Sequence, residues 1–301
     1  MSQAAHKQKK TKSKSLVKSD IQPQNAKEHT SSFIMSWSCK HEQKKRKIRI
    51  QHTGETSVKY VGLQLWNASF LLCDHLLSNP SIVENKVILE LGCGLGFNAI
   101  ILAKCLSIKH IFATDNVASV LTQCKKNIEL NKLNDKKNNK ISARWLDWSR
   151  GNELLSKLTE KQFCVGNDHH WTKKDNQIVS LNDQKIDIII GSEVIYDHKT
   201  SDILFDFICD IFRKYPDIII LLSNEKRLIF NEMTLVDEFY GYEQFIKNIQ
   251  TCGNITLLDP TKSKSQTVKK IELVKIDWTN IPQTSQYERH KYLELIMLKL
   301  V

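Results

Sequence analysis

Short apolar runs alternate with amphipathic stretches along most of the chain. The apolar-rich runs predict strands at 87–91, 110–114, 141–145, 186–190 and 217–222. Apolar positions at helical spacing predict helices at 62–77, 98–106, 118–131, 203–214 and 235–249. Two further strands, at 271–276 and 292–300, follow without a crossover helix, so we expect an antiparallel hairpin at one edge. The pattern predicts an α/β fold with a seven-stranded, mostly parallel sheet and helices on both faces.

A glycine-spaced turn follows the first of these strands. Gly92, Gly94 and Gly96 permit positive φ values and let a ligand approach the backbone. The free N–H groups of the next helix N-terminus face the same crevice. We therefore expect a nucleotide-like cofactor here, the alternative being a turn that only connects strand to helix.

The spacing of the turn and the acid before it narrow the choice of cofactor. A dinucleotide-binding turn has G-x-G-x-x-G, whereas here the third glycine comes one residue early. The carboxylate of Glu90 would repel a pyrophosphate, but it would accept hydrogen bonds from the ammonium group of an amino-acid-bearing cofactor. S-adenosylmethionine carries such a group, so the pattern favours it.

Polar and aromatic residues near other predicted strands extend this site. Asp115 ends the second strand, 19 residues beyond Gly96, where an acid accepts hydrogen bonds from ribose hydroxyls. Asp147 and Trp148 follow the third strand, either near an adenine ring or as a helix cap and a buried tryptophan. Trp66 is either a core residue or part of the cofactor pocket.

The substrate is expected beside the strand at 186–190. Glu193 and Tyr196 follow this strand at the sheet edge that holds the cofactor loop, so they are the candidate catalytic residues. The alternative is an acid at a helix entry with a packed tyrosine. The charged segment 223–227 ends the next strand and is expected at the same edge.

Positive charge is concentrated at the beginning of the chain. Residues 1–50 carry 13 Lys and Arg against 3 Asp and Glu, whereas the remainder carries 31 against 30. This stretch is poor in apolar residues, so we expect a disordered basic arm over 1–50 and a folded domain over 51–301. Its clusters 9–14 and 44–47 are either solvated charge runs or sites for nuclear import or polyanion contact. The polar segment 149–184 is expected to be an insertion loop.

The remaining signals argue against a metal site, a membrane span and secretion. The eight cysteines include no C-x-x-C pair, which favours a reduced intracellular protein without zinc. His169 and His170 lack further ligands at metal-binding spacing. The longest apolar runs are only strand-length, and the N-terminus has no apolar signal-peptide segment.

Taken in order, the motifs resemble those of a known family. The chain is similar to the seven-β-strand S-adenosylmethionine-dependent methyltransferases, specifically the family-16 group dominated by protein-lysine methyltransferases, which have a Rossmann-like sheet. The likeness covers about residues 58–301 and depends on Trp66, the Glu90–Gly96 loop, Asp115, Leu146-Asp147-Trp148 and Glu193-Val194-Ile195-Tyr196. Most relatives have Asp-x-x-Tyr where this chain has Glu193-x-x-Tyr196.

The resemblance implies a cofactor, a substrate and site residues. It implies methyl transfer from S-adenosylmethionine to a lysine side chain of a protein, without a metal. Glu193 and Tyr196 would face the target amine, and the cofactor would be held by Trp66, Glu90, Gly92, Gly94, Gly96, Asp115, Asp147 and Trp148. We expect a monomer in the nucleus, the cytoplasm or both, whose basic arm contacts nucleic acid directly or through a nucleic-acid-bound protein.

Three other functions are less consistent with the sequence. A nucleic-acid methyltransferase fits the basic arm, but the neutral body and the lack of an Asn-Pro-Pro-Tyr-like motif argue against it. A non-catalytic cofactor-binding module would have little reason to present Glu193 and Tyr196 together. A nicotinamide oxidoreductase conflicts with the glycine spacing and with the antiparallel final hairpin.

Overall fold

The computed structural model describes residues 28–39, 42–53, 58–134, 140–151, 169–172, 175, 186–231, 235–258 and 266–301. Its strands are β1 (Glu28–Cys39), β2 (Glu42–Thr53), β3 (Val87–Leu91), β4 (His110–Asp115), β5 (Ile141–Trp145), β6 (Ile188–Ser192), β7 (Ile219–Glu225), β8 (Leu228–Asn231), β9 (Val236–Phe239), β10 (Asn254–Leu258), β11 (Gln266–Lys275) and β12 (Leu293–Leu300). Its α-helices are α1 (Asn67–Ser78), α2 (Phe97–Cys105), α3 (Ala118–Leu130), α4 (His198–Lys214) and α5 (Tyr242–Cys252). Short 3₁₀ segments lie at Val58–Leu63, Pro80–Ile82 and Trp148–Arg150.

One mixed sheet organises the fold. Its strand order is β10-β11-β12-β7-β6-β3-β4-β5, with β7, β6, β3, β4 and β5 parallel and the other three antiparallel. From β3 the chain adds β4 and β5 on one side, and it later adds β6 and β7 on the other. Right-handed crossovers therefore place α2 and α3 on one face and α4 on the opposite face. The crevice where the order reverses, between β3 and β6, is where ligands bind in such sheets.

The parallel strands are mostly apolar because helices cover both faces of this part of the sheet. Every residue of β3 and β6 is buried. Four isoleucines of the parallel strands are 0% exposed, namely Ile88, Ile111, Ile190 and Ile220. The predicted α/β class with an antiparallel final pair is confirmed. The sheet has eight strands rather than seven, since β10 adds an edge strand that the sequence did not indicate.

A long hairpin, β1–β2, corrects the predicted disordered arm. Its two strands pair throughout, and Met35, Trp37, Ile48 and Ile50 are buried against the body of the domain. The hairpin contacts α1, α2 and α3, and the Gln51 amide donates to the Asn127 side chain at 2.8 Å. The prediction was therefore wrong for residues 28–39 and 42–50. Residues 1–27, including the first basic cluster, lie outside the described part of the chain.

The second basic cluster, 44–47, lies on β2. Three of its four side chains, Lys45, Arg46 and Lys47, are exposed, and Lys44 is half-buried. This cluster therefore belongs to an ordered strand that itself contacts α2 and α3. Its role in import or polyanion contact stays a prediction.

The predicted helix at 235–249 is also wrong in its first half. β8 and β9 form a small separate hairpin, and the chain turns at Gly241, with a φ of 78°, before α5 begins. Gly241 has no room for a side chain, since an added Cβ would lie 2.6 Å from the Asp197 backbone nitrogen. Residues 223–225, expected in a loop, continue β7.

The described part of the 149–184 segment is packed against β5. The Trp145 amide donates to the His169 carbonyl, and the Trp171 ring nitrogen donates to the Trp145 carbonyl, both at 2.9 Å. His169 and Trp171 are buried. Within this segment, residues 152–168, 173–174 and 176–184 lie outside the described part of the chain, whereas His169 and His170 are described.

The described residues contain no cluster of three or more His, Cys, Asp or Glu side chains able to hold a metal ion. None of their helices has both the length and the apolar character needed to cross a membrane.

Candidate active site

A cavity of about 760 Å³ opens at the carboxyl ends of β3 and β6. Its volume suits a cofactor-sized ligand. Eight of the ten predicted site residues line it, namely Trp66, Gly92, Gly94, Asp115, Asp147, Trp148, Glu193 and Tyr196. Glu90 and Gly96 are not among the lining residues. The cofactor and catalytic candidates are thus brought together around one opening.

The glycine loop has the backbone conformation that its spacing predicts. Gly92, Gly94 and Gly96 have φ values of 61°, 52° and 76°, which residues with side chains rarely adopt. A Cβ at Gly94 would lie 3.0 Å from the Gly62 carbonyl oxygen. A Cβ at Gly96 would lie 2.5 Å from the Cys124 sulfur, so Gly96 is needed for packing beneath the loop.

Asp115 fixes the glycine loop from the neighbouring strand. Its Oδ2 accepts the Gly94 amide at 3.2 Å, and its Oδ1 accepts the Val117 amide at 3.0 Å. Burial raises the pKa of Asp115 to about 6, and these backbone hydrogen bonds oppose the rise. The carboxylate is therefore ionised at neutral pH and lines the cavity where a ribose acceptor is expected.

Glu90 is placed differently from the expectation. It is 1% exposed and lies below the loop, where its carboxylate receives a hydrogen bond from the Ala99 backbone. Its Oε2 has no hydrogen-bond partner among the described residues. Burial and the nearby charge of Asp115 raise the pKa of Glu90 to about 8, so it is mostly protonated at pH 7. The structure does not bring Glu90 to the cavity surface, because every side chain of β3 is buried.

Asp147 fits the predicted helix cap, whereas Trp148 is half-buried rather than buried. Asp147 accepts the Ser149 amide at 3.0 Å, which is a helix cap, and it also lines the cavity. The Trp148 ring lies 3.7 Å from the position of an added Gly92 Cβ and forms the wall facing the glycine loop. These two residues are expected beside the ring of a bound nucleoside.

Trp66 and a cation from the 223–227 segment, Arg227, also line the cavity. Trp66 directly precedes α1, and its ring nitrogen donates to the Val61 carbonyl at 3.1 Å. The Arg227 guanidinium carbon lies 4.5 Å from the Trp66 ring centroid, in a cation–π contact. The same guanidinium lies 3.3 Å from the Glu193 Oε2. Sequence analysis placed Arg227 near the substrate but did not pair it with these residues.

Glu193 is the most unusual residue of the site. Its φ is 56°, a conformation that is strained for a residue with a side chain, and its side chain is only 5% exposed. The Glu193 Oε1 has no hydrogen-bond partner within the described parts of the chain. Burial raises the pKa of Glu193 to about 7, although the charge of Arg227 opposes the shift. A buried, half-satisfied carboxylate in a cleft is typical of a catalytic group.

Asn224 holds the backbone that carries Glu193 and Tyr196. Its Oδ1 accepts the Ile195 amide at 3.0 Å, and its Nδ2 donates to the Ile195 carbonyl at 2.9 Å. The Glu193 amide donates to the Ser223 carbonyl at 2.9 Å. The end of β7 therefore fixes the turn after β6. Sequence analysis missed this role of Asn224, and its position within the charged 223–227 segment was the only available signal.

Tyr196 lies at the other side of the opening. Its hydroxyl is hydrogen-bonded with the Thr200 side chain, and burial raises its pKa, so the phenol is neutral. Asp197 caps α4 by accepting the Thr200 amide at 2.8 Å. The predicted alternative, an acid at a helix entry, thus applies to Asp197, whereas Glu193 and Tyr196 face the cavity.

Comparison with known proteins shows that part of the chain resembles a known family. Residues 42–174 match the sequence model of a family described as lysine methyltransferase. This match confirms the predicted resemblance. It begins at the start of β2, in a stretch that had been predicted to belong to the disordered arm rather than to the folded domain.

Named relatives are two methyltransferase-like proteins and one protein-lysine N-methyltransferase. Methyltransferase-like protein 22 from Mus musculus is 25% identical over 82% of this chain and 58% of its own length. Its Homo sapiens counterpart is 28% identical over 82% of this chain and 56% of its own length. Protein-lysine N-methyltransferase EFM3 from Chaetomium thermophilum is 30% identical over 55% of this chain and 43% of its own length. The chain thus spans about half the length of these curated relatives.

Proposed function

We propose that this protein transfers a methyl group from S-adenosylmethionine to a lysine side chain of a protein substrate. The observation that carries the proposal is the position of Glu193, a buried carboxylate with a free oxygen on the wall of a cofactor-sized cavity. The lysine methyltransferase family match and the protein-lysine methyltransferase names of the relatives support it.

The residues of the cavity fit this cofactor. Gly92 and Gly94 line the cavity with backbone at positive φ and no side chain, and Asp115 supplies an ionised acceptor for ribose hydroxyls. Asp147 and Trp148 supply a polar and an aromatic contact for the adenine. When bound, S-adenosylmethionine supplies an electrophilic methyl group on its sulfonium.

The protein side chains prepare the amine. A free lysine has a pKa of about 10.4, so it arrives as an ammonium ion and must lose a proton before its nitrogen can act as a nucleophile. The Glu193 carboxylate binds that ammonium, and its elevated pKa makes it a better proton acceptor than an exposed glutamate. The aromatic face of Tyr196 confines the side chain and excludes water.

We further propose that the substrate is a nuclear or nucleic-acid-associated protein. The support is the concentration of Lys and Arg in residues 1–50, including the exposed cluster on β2. An acidic or nucleic-acid-bound partner is the natural counterpart of this charge.

The test is label transfer from tritiated S-adenosylmethionine to nuclear extract in untreated, protease-treated and nuclease-treated portions. We expect label that survives nuclease and disappears with protease. Glu193→Gln removes the charge without changing the shape, and it should abolish transfer while leaving cofactor affinity within about threefold, since most of the binding contacts remain. Glu129→Gln, exposed on α3 and away from the cavity lining, is the matched control.

The outcomes separate the candidate activities. Label lost to nuclease would instead establish a nucleic-acid methyltransferase. Cofactor binding without any transfer would identify a binding module. Full transfer by Glu193→Gln would refute the role of this carboxylate.

A further inference from the structure

The small hairpin β8–β9 exposes an unusual amount of apolar surface. Within the described residues, four of the eight exposed large apolar side chains lie between 228 and 235. Leu228, Ile229, Phe230 and Leu235 are 45%, 44%, 56% and 72% exposed. Such a concentration on a soluble surface is typical of an interaction site. We call β8 and β9 together the apolar hairpin.

Both ends of the apolar hairpin are fixed at the mouth of the cavity. Arg227, which precedes β8, contacts Glu193 and Trp66. Ile229 and Tyr240 themselves line the cavity, and the Tyr240 ring lies 4.3 Å from the His198 ring. The exposed apolar surface is therefore continuous with the proposed catalytic opening.

The backbone of the apolar hairpin is also available for pairing. Across the described residues, β8 and β9 pair only with each other and form a two-stranded sheet apart from the main one. A two-stranded hairpin of this kind gains stability from an added strand. Unpaired strand edges accept extended peptides through main-chain hydrogen bonds, and the side-chain pockets supply specificity.

The spacing along β8 indicates which residues of a bound substrate peptide would contact the apolar hairpin. A strand advances about 3.3 Å per residue, so Ile229 and Phe230 lie roughly 7 and 10 Å along the chain from Arg227. An extended peptide with its lysine at Glu193 would present its second and third neighbours over the same distance. Asp237 lies opposite Phe230 in the pairing register, so the surface is apolar and acidic, which disfavours a nucleic-acid backbone.

We propose that the apolar hairpin docks the extended protein segment that carries the target lysine and selects an apolar side chain two or three residues from that lysine. This inference rests on the proposed lysine methylation, because it assigns the sequence context of that same site. The specificity of the enzyme would then reside in 228–231 and 235–239, outside the cofactor-binding loops.

The test compares Phe230→Ser with Val268→Ser. Val268 is 63% exposed on β11 and does not line the cavity, so it is the matched control. Each variant is incubated with tritiated S-adenosylmethionine and nuclease-treated nuclear extract, and the initial rate on the most strongly labelled band is followed against extract concentration. We expect Phe230→Ser to lower kcat/KM by about tenfold or more, mainly through KM, as for a truncated interface anchor.

Cofactor affinity measured by calorimetry should be unchanged in both variants. Leu228→Ser, also on β8, repeats the test at a second exposed position and should lower kcat/KM in the same direction. The labelled protein, once digested, should carry an apolar side chain at the second or third residue from its methylated lysine.

The alternative outcomes are distinct. Equal kcat/KM for the wild type, Phe230→Ser and Leu228→Ser would overturn the docking site and leave the proposed function intact. A wild-type dimer that Phe230→Ser converts to a monomer in sedimentation would assign the surface to a second copy and overturn it as well. Absence of transfer by a wild type that binds cofactor would refute the proposed function and, with it, this inference.

Discussion

Removal of the Arg227 charge should shift the pH dependence of methyl transfer. The Arg227 Nη2 lies 3.3 Å from the Glu193 Oε2, with side-chain exposures of 32% and 5%. Two unit charges at this separation attract each other by about 5 kcal/mol at an effective dielectric constant of about 20. Partial exposure and screening of the guanidinium reduce this value, so we expect about 1.4 to 3 kcal/mol. That range corresponds to a pKa change of about one to two for Glu193.

The sign follows from which form of Glu193 the arginine stabilises. Arg227 favours the ionised carboxylate, so Arg227→Ala should raise the pKa of Glu193 above its present value of about 7. If the ionised form binds the substrate ammonium, the acidic limb of the kcat/KM profile lies near pH 7 in the wild type. In Arg227→Ala that limb should move to higher pH, and activity at pH 7 should fall by about tenfold.

The assay is kcat/KM against pH with the protein substrate found by labelling. Arg227→Lys keeps the positive charge and should retain most of the wild-type profile. Lys226→Ala is the neighbouring control, because Lys226 pairs with Glu294 rather than with Glu193. An acidic limb that stays in place, or moves to lower pH, in Arg227→Ala would refute the reasoning.

Three further predictions concern the cofactor loop and the turn that carries Glu193. Asp115→Ala should weaken S-adenosylmethionine binding by about tenfold or more, and wild-type affinity should fall below pH 6 as Asp115 protonates; calorimetry giving normal affinity would contradict the ribose assignment. Gly96→Ala should lower the free energy of unfolding by about 1–3 kcal/mol, because a Cβ would meet the Cys124 sulfur at a φ of 76°, and an unchanged urea midpoint would exclude this strain. Asn224→Ala should lower kcat by about tenfold with cofactor affinity retained, since the hydrogen bonds to Ile195 are lost; the exposed Asn254→Ala is the control, and equal kcat values for the two would argue against the positioning role.

The parts of the site that depend on backbone chemistry were predictable from the sequence. Gly92 and Gly94 predict a loop with positive φ. Asp115 lies at the end of the next strand, and the parallel order of the strands places it beside that loop. Glu193 and Tyr196 were found by the same reasoning about strand ends. These signals are local, and the order of the parallel strands then brings the residues together at one edge of the sheet.

The parts that depend on side-chain direction or on distant contacts were not predictable. Glu90 lies in a strand whose residues are all buried, so no alternation shows which way its carboxylate points. Asn224 can bond the Ile195 backbone only because β7 lies beside β6, and this pairing is not visible in the local sequence. The sequence around Met35 and Ile48 resembles a polar arm because it has few apolar positions. Those positions are buried by helices that follow much later in the chain, and no local pattern shows this contact.

The last described strand has a consequence for how the protein is made. β12 lies between β7 and β11, so β10 and β11 cannot join the sheet until residues 293–300 have been synthesised. Until then β7 is paired with β6 on one side, and its other edge, which β12 will occupy, is open. A nascent chain emerging from the ribosome would therefore hold a half-formed sheet for the whole time needed to translate about seventy residues after β7, a state that favours chaperone binding.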